Sequence, residues 1–280
     1  MPHPNNSPTP SGYTSIMVPM DLDPGTERRV KLAVDLADRF SSRLIGVASQ
    51  PITGPMYFET PVEGVESFIE IEERRLNESN RKAESAFRDI AGNRNRIEWR
   101  PALKPTLAYI LEQARAADLI VAARPRRDQS AFDPMIVNGG DLVMGAGRPV
   151  LFVPPRVDYL QAKRIIVGWK DSREARRAVW DALPLLKGAQ EVLVTSVGND
   201  GHAAKDVASY LGSHGVGASA LNRHESAGSV GDELVRIAEQ ELSDLIVCGA
   251  YGHSRAGEWI FGGVTRDLLD HSPVCCLMAH

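Results

Sequence analysis

Short apolar runs of strand length alternate along this chain with longer stretches whose apolar residues recur every three or four positions, the rhythm of strands alternating with amphipathic helices. Ser15-Ile16-Met17-Val18-Pro19-Met20-Asp21 predicts a short strand opening into a loop. Thr26 to Phe40 follows as a helix with Val30, Ala33, Val34 and Ala37 on one face. Arg43 to Ala48 reads as a second strand and Pro51 to Pro61 as a loop. Val62 to Ile90 is a long charged helix whose Val65, Ile69, Leu76, Ala83, Phe87 and Ile90 form one apolar stripe. Further strands fall at Ile97 to Trp99, Asp118 to Ala122 and Pro149 to Pro154, with a helix over Thr106 to Ala116 and a helix start at Gly139-Gly140-Asp141.

After a linker, Pro155 to Lys163, the pattern begins again. Arg164-Ile165-Ile166-Val167-Gly168-Trp169-Lys170-Asp171-Ser172 matches the first strand and its loop. Helices are then predicted at Arg173 to Leu186, Ala203 to Leu211 and Gly231 to Leu242, the last with Leu234, Ile237, Ala238 and Leu242 on one face. Strands are predicted at Glu191 to Val197, Gly217 to Leu221, Leu245 to Cys248 and Pro273 to Met278. Asp118-Leu119-Ile120-Val121 aligns with Asp244-Leu245-Ile246-Val247, Gly139-Gly140 with Gly262-Gly263, and Arg148-Pro149-Val150 with Ser272-Pro273-Val274. This is an internal duplication, and it divides the chain into a tail (1–14), a first domain (15–154), a linker (155–163) and a second domain (164–280). Strands alternating with helices imply right-handed crossovers and, in each half, an open, mostly parallel sheet covered on both faces, an α/β fold.

The stretch richest in chemistry runs from Asp244 to Leu269. The apolar run Leu245 to Cys248 enters a glycine-punctuated loop, which ends where Val264, Leu268 and Leu269 take up helical spacing. Glycines let backbone N–H groups approach a ligand closely, and a helix start carries unpaired donors, so phosphate is a natural guest. The plain alternative is that Gly249 and Gly252 only make a turn. No Gly-Lys-(Ser/Thr) follows, which separates the loop from a P-loop, and its position late in the half separates it from the dinucleotide fingerprint. Its spacing, Gly249, two residues, Gly252, nine residues, Gly262, resembles the nucleotide-phosphate loop of the universal stress protein family, G-x2-G-x9-G-(S/T).

From Ser15 to His280 the chain resembles a tandem universal stress protein. The resemblance implies two five-stranded sheets of order 3-2-1-4-5, with a ligand at the carboxyl ends of strands 1 and 4, where the order reverses. In nucleotide-binding members an Asp at the end of the first strand meets the ribose side and the glycine loop wraps the phosphates. Asp21 matches that Asp in the first half, but Ala123 and Arg126 stand where Gly249 and Gly252 stand in the second, and Asp141 follows Gly140 where it would repel phosphate. The neighbouring Arg124, Arg126 and Arg127 can bind an anion or simply be a solvated loop. In the second half Gly249, Gly252 and Gly262 are kept, Gly263 replaces the Ser/Thr, Thr265 lies two residues on, and Lys170 takes the Asp position with Asp171 after it. With Val197, at the end of its strand, these are the candidate nucleotide-site residues. The ligand so implied is ATP or a related nucleotide, with Mg²⁺, held in the second half alone.

Composition narrows the rest. With a net charge of −4 and no basic stripe interleaved with aromatics, the chain has no nucleic-acid signature. No apolar stretch approaches the ~20 residues of a membrane span, and Met1 to Thr14, rich in Pro, Asn and Ser, lacks the apolar core of a signal peptide, so a flexible tail on a cytoplasmic protein is expected. Cys248, Cys275 and Cys276 sit in apolar runs and read as buried thiols, a redox pair with Cys248 being the alternative. His202, His214, His224 and His253 lack metal-ligand spacing. Trp169 can stack on a base or pack beneath a helix. No general base stands out, so enzyme activity is not assigned and slow ATP hydrolysis stays open. The rival functions are an interaction scaffold with relic sites, working through an unknown protein partner, and a small-molecule sensor using the long helix 62–90 as a lid. Two such domains can satisfy each other as an internal pseudo-dimer in a monomer, or pair further as a homodimer.

Overall fold

The computed structural model describes residues 12–23, 25–52, 65–124, 134–197, 201–223, 228–251 and 263–280, with backbone only at 65–67 and 222–223. The first half runs β1 (Ser15–Pro19), α1 (Thr26–Phe40), β2 (Arg43–Ser49), α2 (Val65–Ala91), β3 (Ile97–Ala102), α3 (Thr106–Gln113, continued by one 3-10 turn), β4 (Leu119–Ala123), α4 (Gly139–Gly145) and β5 (Val150–Val153). The second runs β6 (Arg164–Gly168), α5 (Arg173–Leu186), β7 (Glu191–Val197), α6 (Gly201–Ser213), β8 (Ala218–Arg223), α7 (Val230–Gln240), β9 (Leu245–Gly249), α8 (Gly263–His271) and β10 (Cys275–Ala279).

The expected order 3-2-1-4-5 holds in each half, but the two sheets are one. The strands run β3-β2-β1-β4-β5-β10-β9-β6-β7-β8 in a single ten-stranded sheet. All pairs within a half are parallel, and the halves join where β5 and β10 pair antiparallel, Phe152 opposite Cys276 and Val150 opposite Met278. The reason lies in the strands themselves: Val150–Val153 and Cys275–Ala279 are buried along their whole length. An edge strand of that character left unpaired would expose a row of backbone donors and acceptors on an apolar ribbon.

Alternation along each strand divides the core between two faces. Ile16 and Val18 point to one face of the sheet, which Val30, Ala33, Phe87, Ala178, Ala182 and Leu211 of α1, α2, α5 and α6 cover along its length. Met17 points to the other face, whose cover along the sheet includes Ile110, Leu142, Ile237 and Leu268 of α3, α4, α7 and α8. Side-chain caps fix several helix starts: the Ser172 hydroxyl accepts from the Ala175 N–H, and Ser229 and Asp232 form a reciprocal capping box on α7.

Several expectations change in detail. Ile69, assigned to the buried stripe of α2, is exposed, whereas Leu76, Ala83 and Phe87 are buried as expected. Leu242, assigned to the apolar face of α7, lies past the helix end with φ of 51° and its side chain in solvent. Residues 1–11 of the expected tail lie outside the described residues, but its last residues are anchored. Tyr13 is buried and its hydroxyl donates to the Asp181 carbonyl, and Thr14 donates to Asp118 through both N–H and hydroxyl. The segment 155–163 is tied down as well, Arg39 donating to the carbonyls of Leu160 and Gln161. All three cysteines are free and buried. Cys248 pairs in register with Met278 and Cys276 with Ile246, so no cysteine faces Cys248 directly. Burial pushes every thiol up, Cys276 to about 12.

Candidate functional site

Where the strand order of the second half reverses, β6 and β9 lie side by side, with Gly168 opposite Cys248. The chain leaves β6 for α5 on one face and β9 for α8 on the other, and the crevice between those exits is the natural ligand position of such a sheet. Trp169 does not offer its ring there: it packs with the α5-side core, its N–H bonds to the Thr195 carbonyl, and its indole nitrogen is buried without a partner. Lys170 and Asp171 follow it on the surface, Asp171 paired with Arg176 at 2.5 Å. Val197 ends β7 half-buried on the α7-side face. Gly252 and Gly262 lie outside the described residues.

The described residues of the loop behave differently from one another. A Cβ on Gly249 would meet the Ala175 nitrogen at 2.5 Å and the Glu174 carbonyl carbon at 2.7 Å, so the start of α5 itself requires a glycine here. At Gly263, by contrast, a Cβ would meet nothing within 4 Å among the described residues, and the first residue of α8 is exposed. Thr265 is buried, and its hydroxyl accepts the Tyr251 N–H at 3.2 Å, which leaves its own proton and a second lone pair for other partners.

The first half fills the equivalent crevice with itself. Asp21, the residue matched to the ribose-side carboxylate, is buried and accepts from Arg29 at 2.8 Å, from the Asp23 N–H at 3.1 Å and from the Thr26 hydroxyl. Arg29 also donates to the Pro19 carbonyl at 3.1 Å. At the start of α4 the Asn138 side chain accepts the N–H groups of Gly140 and Asp141, at 2.8 and 3.1 Å. Arg124, considered above as an anion ligand, instead donates to the carbonyls of Leu269 and Asp270 at the end of α8, at 3.2 and 2.5 Å. Arg126 and Arg127 lie outside the described residues.

Residues 202–280 match the Universal stress protein family, from α6 through the loop between β9 and α8 to the end of β10. The family match thus falls on the larger part of the second half. Over the whole chain, a universal stress protein from Archaeoglobus fulgidus DSM 4304 superposes with a TM-score of 0.61 at 18% identity, covering 95% of each chain. A functionally unknown protein from Pseudomonas aeruginosa PAO1 superposes with a TM-score of 0.53 at 14% identity, covering 96% of this chain and 93% of its own. At these identities the likeness speaks for the fold, and it spans both halves. No curated protein matches the chain in sequence.

The second half thus presents an exposed helix start beside an exposed Lys170–Asp171 turn, and its counterpart in the first half presents a capped helix beside a buried ion pair. Residues that the sequence did not single out carry much of this difference. Asn138 had a readable signal, an Asn directly before a predicted helix start. Arg29 and Tyr251 had none, since their partners lie eight residues away and in the other half of the chain respectively. Among the described residues no group of three His, Cys, Asp or Glu side chains is placed to hold a metal ion, and no helix is long and apolar enough to cross a membrane.

Proposed function

We propose that the second half binds ATP or a related nucleotide at the carboxyl ends of β6 and β9, and that the chain acts as a regulatory binding module of a stress response. The observation that carries this reading is the exposed first residue of α8, Gly263, where a Cβ meets no neighbour among the described residues, at the position where a doubly wound sheet takes its ligand. In this reading the phosphates lie against that turn and the glycine loop 249–263, with Lys170 supplying positive charge from the turn after β6. Thr265 adds its hydroxyl proton, and Asp171 and Val197 border the ribose and base. Mg²⁺ enters with the nucleotide, held chiefly by its phosphates.

A second reading, an interaction scaffold that takes no nucleotide, is favoured by two observations. Gly249 is demanded by helix packing whether or not a ligand binds, and Asp171 already has an ionic partner in Arg176. Mass spectrometry of nucleotides released by denaturing freshly purified protein, followed by calorimetric titration with ATP and Mg²⁺, separates the two. Nucleotide recovered near one per chain, or heat with ATP, supports the binding module. An empty protein that gives no heat leaves the scaffold.

A further inference from the structure

Two side chains cross the seam between the halves in opposite senses. Tyr251, just past β9, reaches back to α4 of the first half, where a Cβ on Gly140 would lie 2.5 Å from its phenol oxygen. Its N–H is bonded to the Thr265 hydroxyl in the first turn of α8, and its backbone holds φ of 55°, a region that bulky residues seldom adopt. Tyr251 is therefore fixed at both ends, by its backbone to α8 and by its ring to α4. Arg124, just past β4, does the converse: its N–H is bonded to the Val153 carbonyl while its guanidinium donates to the last carbonyls of α8. Each half's loop after its fourth strand thus begins with a residue that grips the last helix of the other half.

We propose that Tyr251 and Arg124 form a reciprocal latch across the β5–β10 seam, so that a change at Tyr251 or in the first turn of α8 alters the order of α4 in the other half. Ligand control of the latch rests on the nucleotide reading above; the latch itself does not. A ligand shifts such an element only if it binds the two arrangements unequally, and phosphate against the first turn of α8 meets the very turn that holds the Tyr251 backbone. The surface around α4 then becomes the place where the state of the second half is displayed.

Hydrogen exchange of the full chain, followed by mass spectrometry, tests this. Without ligand, Tyr251→Ala is expected to speed exchange in residues 139–145 about fivefold, the scale of losing roughly one kcal/mol of local protection, while α2 and α6 stay unchanged. Tyr251→Phe, which keeps the ring and loses only the hydroxyl, gives a smaller change in the same peptide and serves if the alanine variant fails to fold. Unaltered exchange at 139–145 in the folded variants overturns the latch. With ATP added to the wild-type chain, a change in 139–145 extends the latch to ligand control. If ATP gives heat but leaves 139–145 unmoved, ligand control is wrong and the nucleotide reading stands. If ATP gives no heat, the nucleotide reading fails, and the ligand-free variants still decide the latch.

Discussion

The carboxyl ends of β1 and β4 and those of β6 and β9 occupy equivalent places in the two halves of one sheet, yet they are built to opposite ends. In the first half Asp21 and Arg29 are sealed together, their side chains 10% and 3% exposed, and α4, the helix after β4, is capped by Asn138. In the second half the pair at the same strand end, Asp171 and Arg176, stands in solvent at 68% and 60% exposure, and the helix start at Gly263 is open. One topology therefore offers one crevice, and local side chains decide whether it becomes core or remains a place for a ligand. The charge content is alike in the two places; what differs is desolvation.

That comparison breaks most visibly at the ion pairs. Removing one partner of a buried pair strands the other charge, so Arg29→Ala is expected to cost about 3–5 kcal/mol. The corresponding Asp171→Ala removes an exposed pair and is expected to cost no more than about 1 kcal/mol. Urea denaturation of the two variants measures both, and equal losses would mean that the two strand ends are not distinct in the way described.

Gly249→Ala comes next. Its Cβ would press on backbone atoms of Glu174 and Ala175, which have no side-chain torsion through which to yield. A loss of about 1–3 kcal/mol is expected, as for an overpacked core. A glycine of a phosphate loop would instead lose ligand binding with little change in stability, so denaturation and calorimetry on the same variant tell the two roles apart.

Local signals in the sequence set the elements well. The bounds of α1 and α5 agree residue for residue with the apolar rhythm and the preceding turn, and β7 with its run of β-branched residues. The parallel sense of each half followed from the alternation of strands and helices, and the strand order from the family likeness alone. What was not legible was every contact between distant segments: the pairing of β5 with β10, the Asp21–Arg29 bond, and the reach of Tyr251 to Gly140. Spacing marked Gly249 as a loop glycine, but only the position of α5 shows what a side chain there would strike. The candidate site was therefore found in outline from the order of residues, and the roles within it were not.

A smaller effect is expected at the first half's helix start. Asn138→Ala removes an acceptor shared by two N–H groups and is expected to cost about 0.5–2 kcal/mol. Asn138→Asp should preserve the cap. If stability is unchanged by the alanine, α4 is held by its packing and by Tyr251 rather than by its own cap.

The smallest effect on stability and the sharpest on function belong to one substitution in the second half. Gly263→Asp puts a carboxylate in the first turn of α8, much as Asp141 already sits in the first turn of α4. A Cβ there meets no neighbour among the described residues, and the added charge suits the positive end of the helix by about 0.3–1 kcal/mol. The folded state should be unchanged or slightly firmer in a thermal melt. A phosphate approaching the same N–H groups would now meet a like charge within hydrogen-bonding range, and ATP binding by calorimetry should be abolished. Retained ATP affinity in a normally folded Gly263→Asp protein would place the nucleotide away from α8. It would also leave the openness of that helix as a difference between the halves with no part in binding.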